Sequence, residues 1–218
     1  IYKFISKKMI NNPHLFKKLD LYILTAHSHN GLDWIHSLFD NHDQILIMPG
    51  FSLMRTINKF KIDIYKLSNI KISKVFTHIF FTQPGYRIPR RKFLNSKSQK
   101  IKFEKIFLRY LDTNIEQTKI QKIFYGIHFS FAELYKIKVK RKKILIAQEH
   151  VSWHSKYYYH NFKPKSFIFV IRDFRAAIAG SLRGALHVNN LKPIFSHQFD
   201  KVLVNWLSGT NFINLTKK

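Results

Sequence analysis

Three short apolar runs constrain this chain more than any other feature. They are "LYILTA" (21–26), "KKILIAQ" (142–148) and "SFIFVI" (166–171), each passing directly into polar residues. A run this short and continuous predicts a strand covered on both faces, where the in-and-out alternation of a half-exposed sheet is lost. Strands of that kind run parallel, and parallel neighbours need a crossover rather than a hairpin. The intervening sequence supplies crossovers. Leu32, Ile35, Leu38 and Phe39, with Trp34 beside them, fall at helical spacing and predict a helix at about 31–41. "QILIMPG" (44–50) ends in Pro49 and Gly50 and predicts a second short strand closed by a turn.

From about 51 to 138 the pattern is mainly helical, notably in "FEKIFLRYL" (103–111) and "IQKIFYGIHFSFAELYKI" (120–137), with a Pro, Gly and Arg-rich loop near 84–100. A further helical pattern, "FRAAIAGSLRGAL" (174–186), follows the last apolar run at once. Strand, helix, helical insertion, strand, strand, helix is the order of an α/β fold, three-layer α/β/α with a central parallel sheet. No internal repeat or low-complexity linker marks a boundary, so residues 1–218 are expected to form one domain with a helical insertion at about 51–138.

Composition narrows the classes of function. With 45% hydrophobic and 16% aromatic residues the chain is a folding sequence despite its net charge of +26. No apolar run approaches the roughly 18–20 residues that span a bilayer, and the basic start "IYKFISKKM" has no signal-peptide core behind it. The absence of cysteine excludes disulfides and thiolate metal sites and suits a reducing compartment, so a cytoplasmic location is expected. The basic excess has two readings. A positive surface attracts nucleic acid, anionic polysaccharide, acidic headgroups or a phosphorylated cofactor. Alternatively, a chain rich in Lys, Ile, Asn and Phe reflects A/T-heavy codons and uses lysine as its default surface residue. The clusters "GYRIPRRK" (85–92) and "KIKVKRKK" (136–143) are read as solvated loops or faces.

Ligands of parallel sheets sit outside the carboxyl ends of the strands, which directs attention to two turns. In "TAHSHNGLD" (25–33), Gly31 lets backbone approach a ligand, and Ser28, Asn30 and the N–H groups of residues 29–33 are donors at a helix start. In "IRDFRAAIAGS" (171–181), Arg172 leaves the strand end with a planar guanidinium suited to a phosphate; its bland alternative is an ion pair with Asp173 or another carboxylate.

Together the two turns resemble the sulfotransferase superfamily. "SHNGLDWIHSLFDNHDQI" (28–45) is similar to that family's 5′-phosphosulfate loop "PxRSGT" with its following helix. "KPKSFIFVIRDFRAAIAGSLR" (163–183) is similar to its 3′-phosphate segment, and "LIAQEHVSWH" (145–154) stands where the family has "EKTPxH". The resemblance covers about a third of the chain and implies a P-loop-like sulfotransferase fold with 3′-phosphoadenosine 5′-phosphosulfate (PAPS) as cofactor. It implies that Ser28, His29, Asn30, Gly31, Leu32 and Asp33 hold the 5′-phosphosulfate, while Arg172 and a hydroxyl on the next helix hold the 3′-phosphate. The basic residue of the family's loop falls at His29, and the hydroxyl position falls at Gly180, which passes the role to Ser181 one step on; Phe174 stands where the family has proline. The family commonly continues into a further strand and helix, so a truncated carboxyl end is expected here.

The implied reaction is sulfuryl transfer to a hydroxyl or amine of an acceptor such as a saccharide, driven by in-line positioning and by charge stabilisation at the leaving oxygen. His29 is the implied catalytic support for that oxygen, and Glu149, His150 and His154 are candidate bases. His150 and His154 share the spacing of helical metal ligands, but with no third ligand and no "HExxH" they predict no metal site. No "GxxxxGK(S/T)" occurs, which disfavours a nucleoside triphosphatase. Two alternatives remain: a non-catalytic, degenerate relative that binds the nucleotide or a polyanion, and a basic nucleic-acid-binding protein, for which no recognisable module is present.

Overall fold

The computed structural model describes residues 12–26, 31–40, 42–48, 50–82, 87–88, 91–92, 94, 96–114, 116–150, 152–173, 175–176, 179 and 207. In chain order its elements are β1 (Asp20–Ala26), α1 (Leu32–Ser37), β2 (Ile45–Ile47), α2 (Leu53–Lys59), α3 (Asn69–Thr82), β3 (Arg87–Ile88), β4 (Arg91–Lys92), α4 (Lys97–Thr113), α5 (Lys119–Leu134), β5 (Ile144–Glu149), α6 (Ser155–Phe162) and β6 (Ser166–Val170). The strands β2, β5, β1 and β6 form one all-parallel sheet in that order, so the chain is α/β. β3 and β4 make a separate antiparallel pair, with Arg87 opposite Lys92 and Ile88 opposite Arg91. Among the described residues no helix is long and apolar enough to cross a membrane.

The chain divides into two compact units. The first comprises residues 1–20, 41–50 and 61–145, and its described core is helical and aromatic. Phe103, Phe107, Tyr110 and Leu111 are the buried residues of α4 and repeat at helical spacing. Phe107 meets Phe76 of α3 edge to face at 6.4 Å, and Phe103 meets Phe80 likewise at 5.7 Å, the geometry ring quadrupoles favour. α5 approaches α4 closely at Gly126, where an added Cβ would stand 2.8 Å from Phe107 Cε2 and 2.9 Å from Tyr110 Cδ1. The start of α5 is fixed by a capping box: the Thr118 hydroxyl accepts from the Gln121 N–H, and the Gln121 side chain accepts from the Thr118 N–H. His128 is fully enclosed in α5, beside Phe124 at 4.5 Å between ring centroids, and its Nδ1 meets the Phe124 carbonyl at 2.8 Å. Burial lowers the pKa of His128 to about 4. The basic cluster at 136–143 includes a 3-10 turn, Val139–Arg141, with Val139 buried; Lys142 donates to the His42 carbonyl at 2.6 Å.

The second unit comprises residues 21–40, 51–60 and 146–218. Here β1 pairs in parallel with β6 in a register that runs from Tyr22 opposite Ser166 to Ala26 opposite Val170. β1 is almost wholly buried from Leu21 to Ala26, as its continuous apolar run predicts, whereas β6 is only half-buried. The difference follows from strand order, because β6 stands at one end and has a single strand neighbour among the described residues. The helix expected over 31–41 is shorter, Leu32–Ser37. Of the helix expected over 174–186, Arg175, Ala176 and Ala179 are helical and the remainder lies outside the described residues. α2, α6 and the β3–β4 pair were not expected as separate elements; each is too short to build a clear periodicity of its own.

Candidate functional site

The sheet order sets where a ligand belongs. From β1 the chain proceeds to β2 at one end of the order, and from β5 it proceeds to β6 at the other. Neighbouring strands β1 and β5 therefore send their chains in opposite directions, which defines a switch point at their carboxyl ends. Gln148 and Glu149 close β5, and consecutive strand residues face opposite sides of a sheet. Gln148 Nε2 donates to Asp33 Oδ1 of α1 at 2.8 Å, while Glu149 Oε1 lies 3.3 Å from Nδ1 of His154, the residue that opens α6. Within this unit α1 and α6 thus meet β5 from opposite faces.

On the α1 side, Gly31 takes the left-handed conformation (φ 84°, ψ 21°) and starts the helix, with nothing among the described residues within 4 Å of where a Cβ would stand. The left-handed turn is the local reason for a glycine here. Leu32 buries its side chain, which leaves only its backbone to face a ligand. Asp33 is 81% exposed at its side chain and His150 24%, and Asp33 Oδ1 lies 3.8 Å from His150 Nε2. The Gln148 amide nitrogen also reaches that Nε2, at 3.0 Å. An amide N–H can only donate, so Nε2 accepts and the imidazole is neutral with its proton on Nδ1. Burial, and next the positive charge of Arg55, hold the His150 pKa below its ordinary value, with Asp33 and Glu149 opposing.

The α6 side is closed. Glu149 is 0% exposed and His154 5%. Asn58 Nδ2 of α2 lies 2.9 Å from His154 Nε2, so with the amide nitrogen donating, His154 keeps its proton on Nδ1 and donates it to Glu149. The buried Tyr158 hydroxyl accepts from the Leu53 N–H at 3.2 Å. Burial and then the Glu149 carboxylate raise the Tyr158 pKa well above the usual phenol value. Glu149 and His154 accordingly tie α2 and α6 to the end of β5, and His150 is the candidate base that faces outward.

The third turn lies on the other side of β1. Because Ala26 stands opposite Val170, the turns that follow β1 and β6 leave neighbouring strand ends. Ile171, Arg172 and Asp173 are exposed. The Asp173 carboxylate accepts from Arg175 Nε (3.2 Å), Arg175 Nη2 (3.1 Å) and the N–H groups of Arg175 (3.0 Å) and Ala176 (3.3 Å), and the Arg175 side-chain bond chiefly lowers its pKa. The acid beside Arg172 is thus engaged with Arg175. Ser28, His29, Asn30 and Ser181 lie outside the described residues.

His150 and His154 do not share a helical face: one lies in the bend after β5 and the other at the start of α6, with partners on opposite sides. Among the described residues no group of three or more His, Cys, Asp or Glu is placed to hold a metal ion. Gln148, Arg55, Asn58 and Tyr158 enter the site without having been singled out in the sequence. Gln148 carried a usable signal, a polar residue ending an otherwise apolar strand; the other three are joined to the site by tertiary structure alone. No protein-family model, curated protein or solved structure matches the chain.

Proposed function

We propose that this chain is a sulfotransferase that takes a sulfuryl group from PAPS to a hydroxyl or amine of an acceptor. The observation that carries the reading is the parallel register of β1 with β6, which sets the Gly31 turn and the Arg172 turn at adjacent strand ends. These are the two segments that resemble the family's phosphosulfate and 3′-phosphate segments, and the open Cα of Gly31 leaves room for an anionic group against the backbone. On this reading the backbone at Gly31, Leu32 and Asp33 receives the phosphosulfate, and Arg172 meets the 3′-phosphate as a planar, permanently charged donor.

PAPS, when bound, supplies the activated sulfuryl group; the protein positions it and manages protons and charge. His150, neutral and partly exposed, takes the acceptor's proton at Nε2 as the Gln148 N–H gives up that lone pair, and the Asp33 carboxylate 3.8 Å away stabilises the imidazolium that results. Glu149 and His154 hold the end of β5 and are positioning residues. A saccharide acceptor belongs to this proposal, as does a cytoplasmic location.

Calorimetric titration with 3′-phosphoadenosine 5′-phosphate tests the reading. Saturable one-to-one binding by the wild type, weakened about tenfold or more by Arg172→Ala through loss of a charge-assisted contact, is expected. A wild type that gives no heat of binding overturns it.

A further inference from the structure

Between Glu149, which is buried, and Asp173 the chain carries no acidic residue, while Lys156, Lys163, Lys165 and Arg172 are permanent cations. α6 occupies the first part of that stretch and has two unlike faces. Ser155 and Tyr158 are its buried residues. Trp153, Lys156, Tyr157 and His160 are exposed and fall at i, i+3, i+4 and i+7, the spacing of one helix face. Trp153 lies in the 3-10 turn, Ser152–His154, that leads into the helix. With Trp153 37% and Tyr157 42% exposed, both rings remain open to a ligand.

The two rings are supported from beneath. The buried His154 ring stands edge to face with Trp153 at 5.9 Å and with Tyr157 at 6.2 Å. His154 is itself tied to Glu149 and Asn58. A ring placed in advance loses little freedom when a ligand stacks on it. Lys156 Nζ lies 5.5 Å from the centre of the Tyr157 ring, which brings a cation beside the platform. Past the end of α6, Lys163 and Lys165 are exposed as well.

Along this face the order is ring, cation, ring, imidazole. A nucleic-acid strand repeats one planar base and one phosphate charge per nucleotide, so a ring meets each base and a donor meets each phosphate. A duplex keeps its base faces inside its own stack, and a polysaccharide presents puckered rings. We infer that the outer face of α6 binds single-stranded nucleic acid, with bases stacked on Trp153 and Tyr157 and the backbone following Lys156, His160, Lys163 and Lys165. The net charge of +26 adds long-range attraction for the strand. Because base faces are met rather than base edges, recognition is tolerant of sequence. Binding here does not depend on the proposed sulfuryl transfer.

Fluorescence anisotropy of the full chain with a labelled oligothymidylate of about 12 nucleotides, measured over a range of salt, tests this. The wild type should bind the strand, and at about 0.2 M salt should bind the same strand paired with oligoadenylate about tenfold or more weakly. Trp153→Ala should weaken the strand about tenfold with little change in the salt slope, and Trp153→Phe should recover part of the loss because it keeps a ring. Lys156→Gln should reduce the salt slope by about 0.7, the share of one phosphate contact on a single strand. A heparin oligosaccharide, anionic but without bases, should be insensitive to Trp153→Ala. No binding of the strand by the wild type, equal affinity for strand and duplex, or Trp153→Ala and Tyr157→Ala variants that bind the strand as tightly as wild type would overturn the inference. Heparin bound more tightly than the strand and weakened by Trp153→Ala would also overturn it, and would give the face to a polysaccharide.

Discussion

The two units solve the problem of burial in opposite ways. In the helical unit, the described core is built from rings and aliphatic chains, its α4 and α5 starts are capped, and one buried side-chain atom among the described residues, Thr77 Oγ1, has no hydrogen-bond partner. The sheet unit encloses a glutamate, a histidine and a tyrosine in one network, and leaves Thr25 Oγ1, Ser52 Oγ, Gln148 Oε1 and Ser155 Oγ buried without partners. Unsatisfied buried polar atoms cost roughly 1–3 kcal/mol each, so they persist where something other than stability is served. Three of the four lie at the ends of β1 and β5 or the start of α6, the elements that frame the switch point. The comparison teaches that the apolar packing and the unpartnered polar atoms are concentrated in different units.

The sharpest way to break that contrast is to damage each unit and ask which property fails. Phe107→Ala should cost about 3–5 kcal/mol by opening a cavity among Phe76, Phe103 and Gly126, seen as a lower urea midpoint. His150→Gln should lower turnover about 10²-fold or more through loss of the base. It should leave the urea midpoint within about 0.5 kcal/mol, as for a partly exposed side chain, and keep affinity for 3′-phosphoadenosine 5′-phosphate. A large loss of stability there would move His150 into the structural network.

A pH titration of stability sharpens the same contrast. His128 has its folded-state pKa lowered from 6.5 to about 4, so the unfolded chain takes up the proton first. Its contribution is complete above the unfolded pKa and is lost as pH falls from about 6.5 toward 4, by roughly 3 kcal/mol in all. His128→Phe should remove that acid limb in a series of denaturant melts. Smaller still are two backbone tests of the helical unit. Gly126→Ala should destabilise by about 1–3 kcal/mol, since neither Phe107 nor Tyr110 has room to withdraw from the new Cβ. Thr118→Ala should cost about 1 kcal/mol by removing half of the capping box.

The legibility of the sequence differs between the units for the same reason. α4 and α5 were readable because their periodic aromatic faces are long, and "LYILTA" and "KKILIAQ" were readable as parallel strands because burial on both faces leaves an unbroken apolar run, a run "SFIFVI" shares although β6 is only half-buried. Gly31 and Arg172 could be singled out because each is a special residue next to a strand end. Asn58 could not, since "LMRTINK" looks like any short polar helix until the fold bonds it to α6. Glu149 illustrates the converse. Its residue type suggested a base, and only the pairing with His154 and the absence of exposure show that it faces inward.

Hydrogen–deuterium exchange with and without 3′-phosphoadenosine 5′-phosphate tests the central claim most directly, because it reports where a ligand sits as well as whether it binds. The account predicts slower exchange in peptides covering 31–37, 146–150 and 171–176, with no change in α3, α4 or α5. Protection confined to those three helices, or none anywhere at saturating nucleotide, would contradict it.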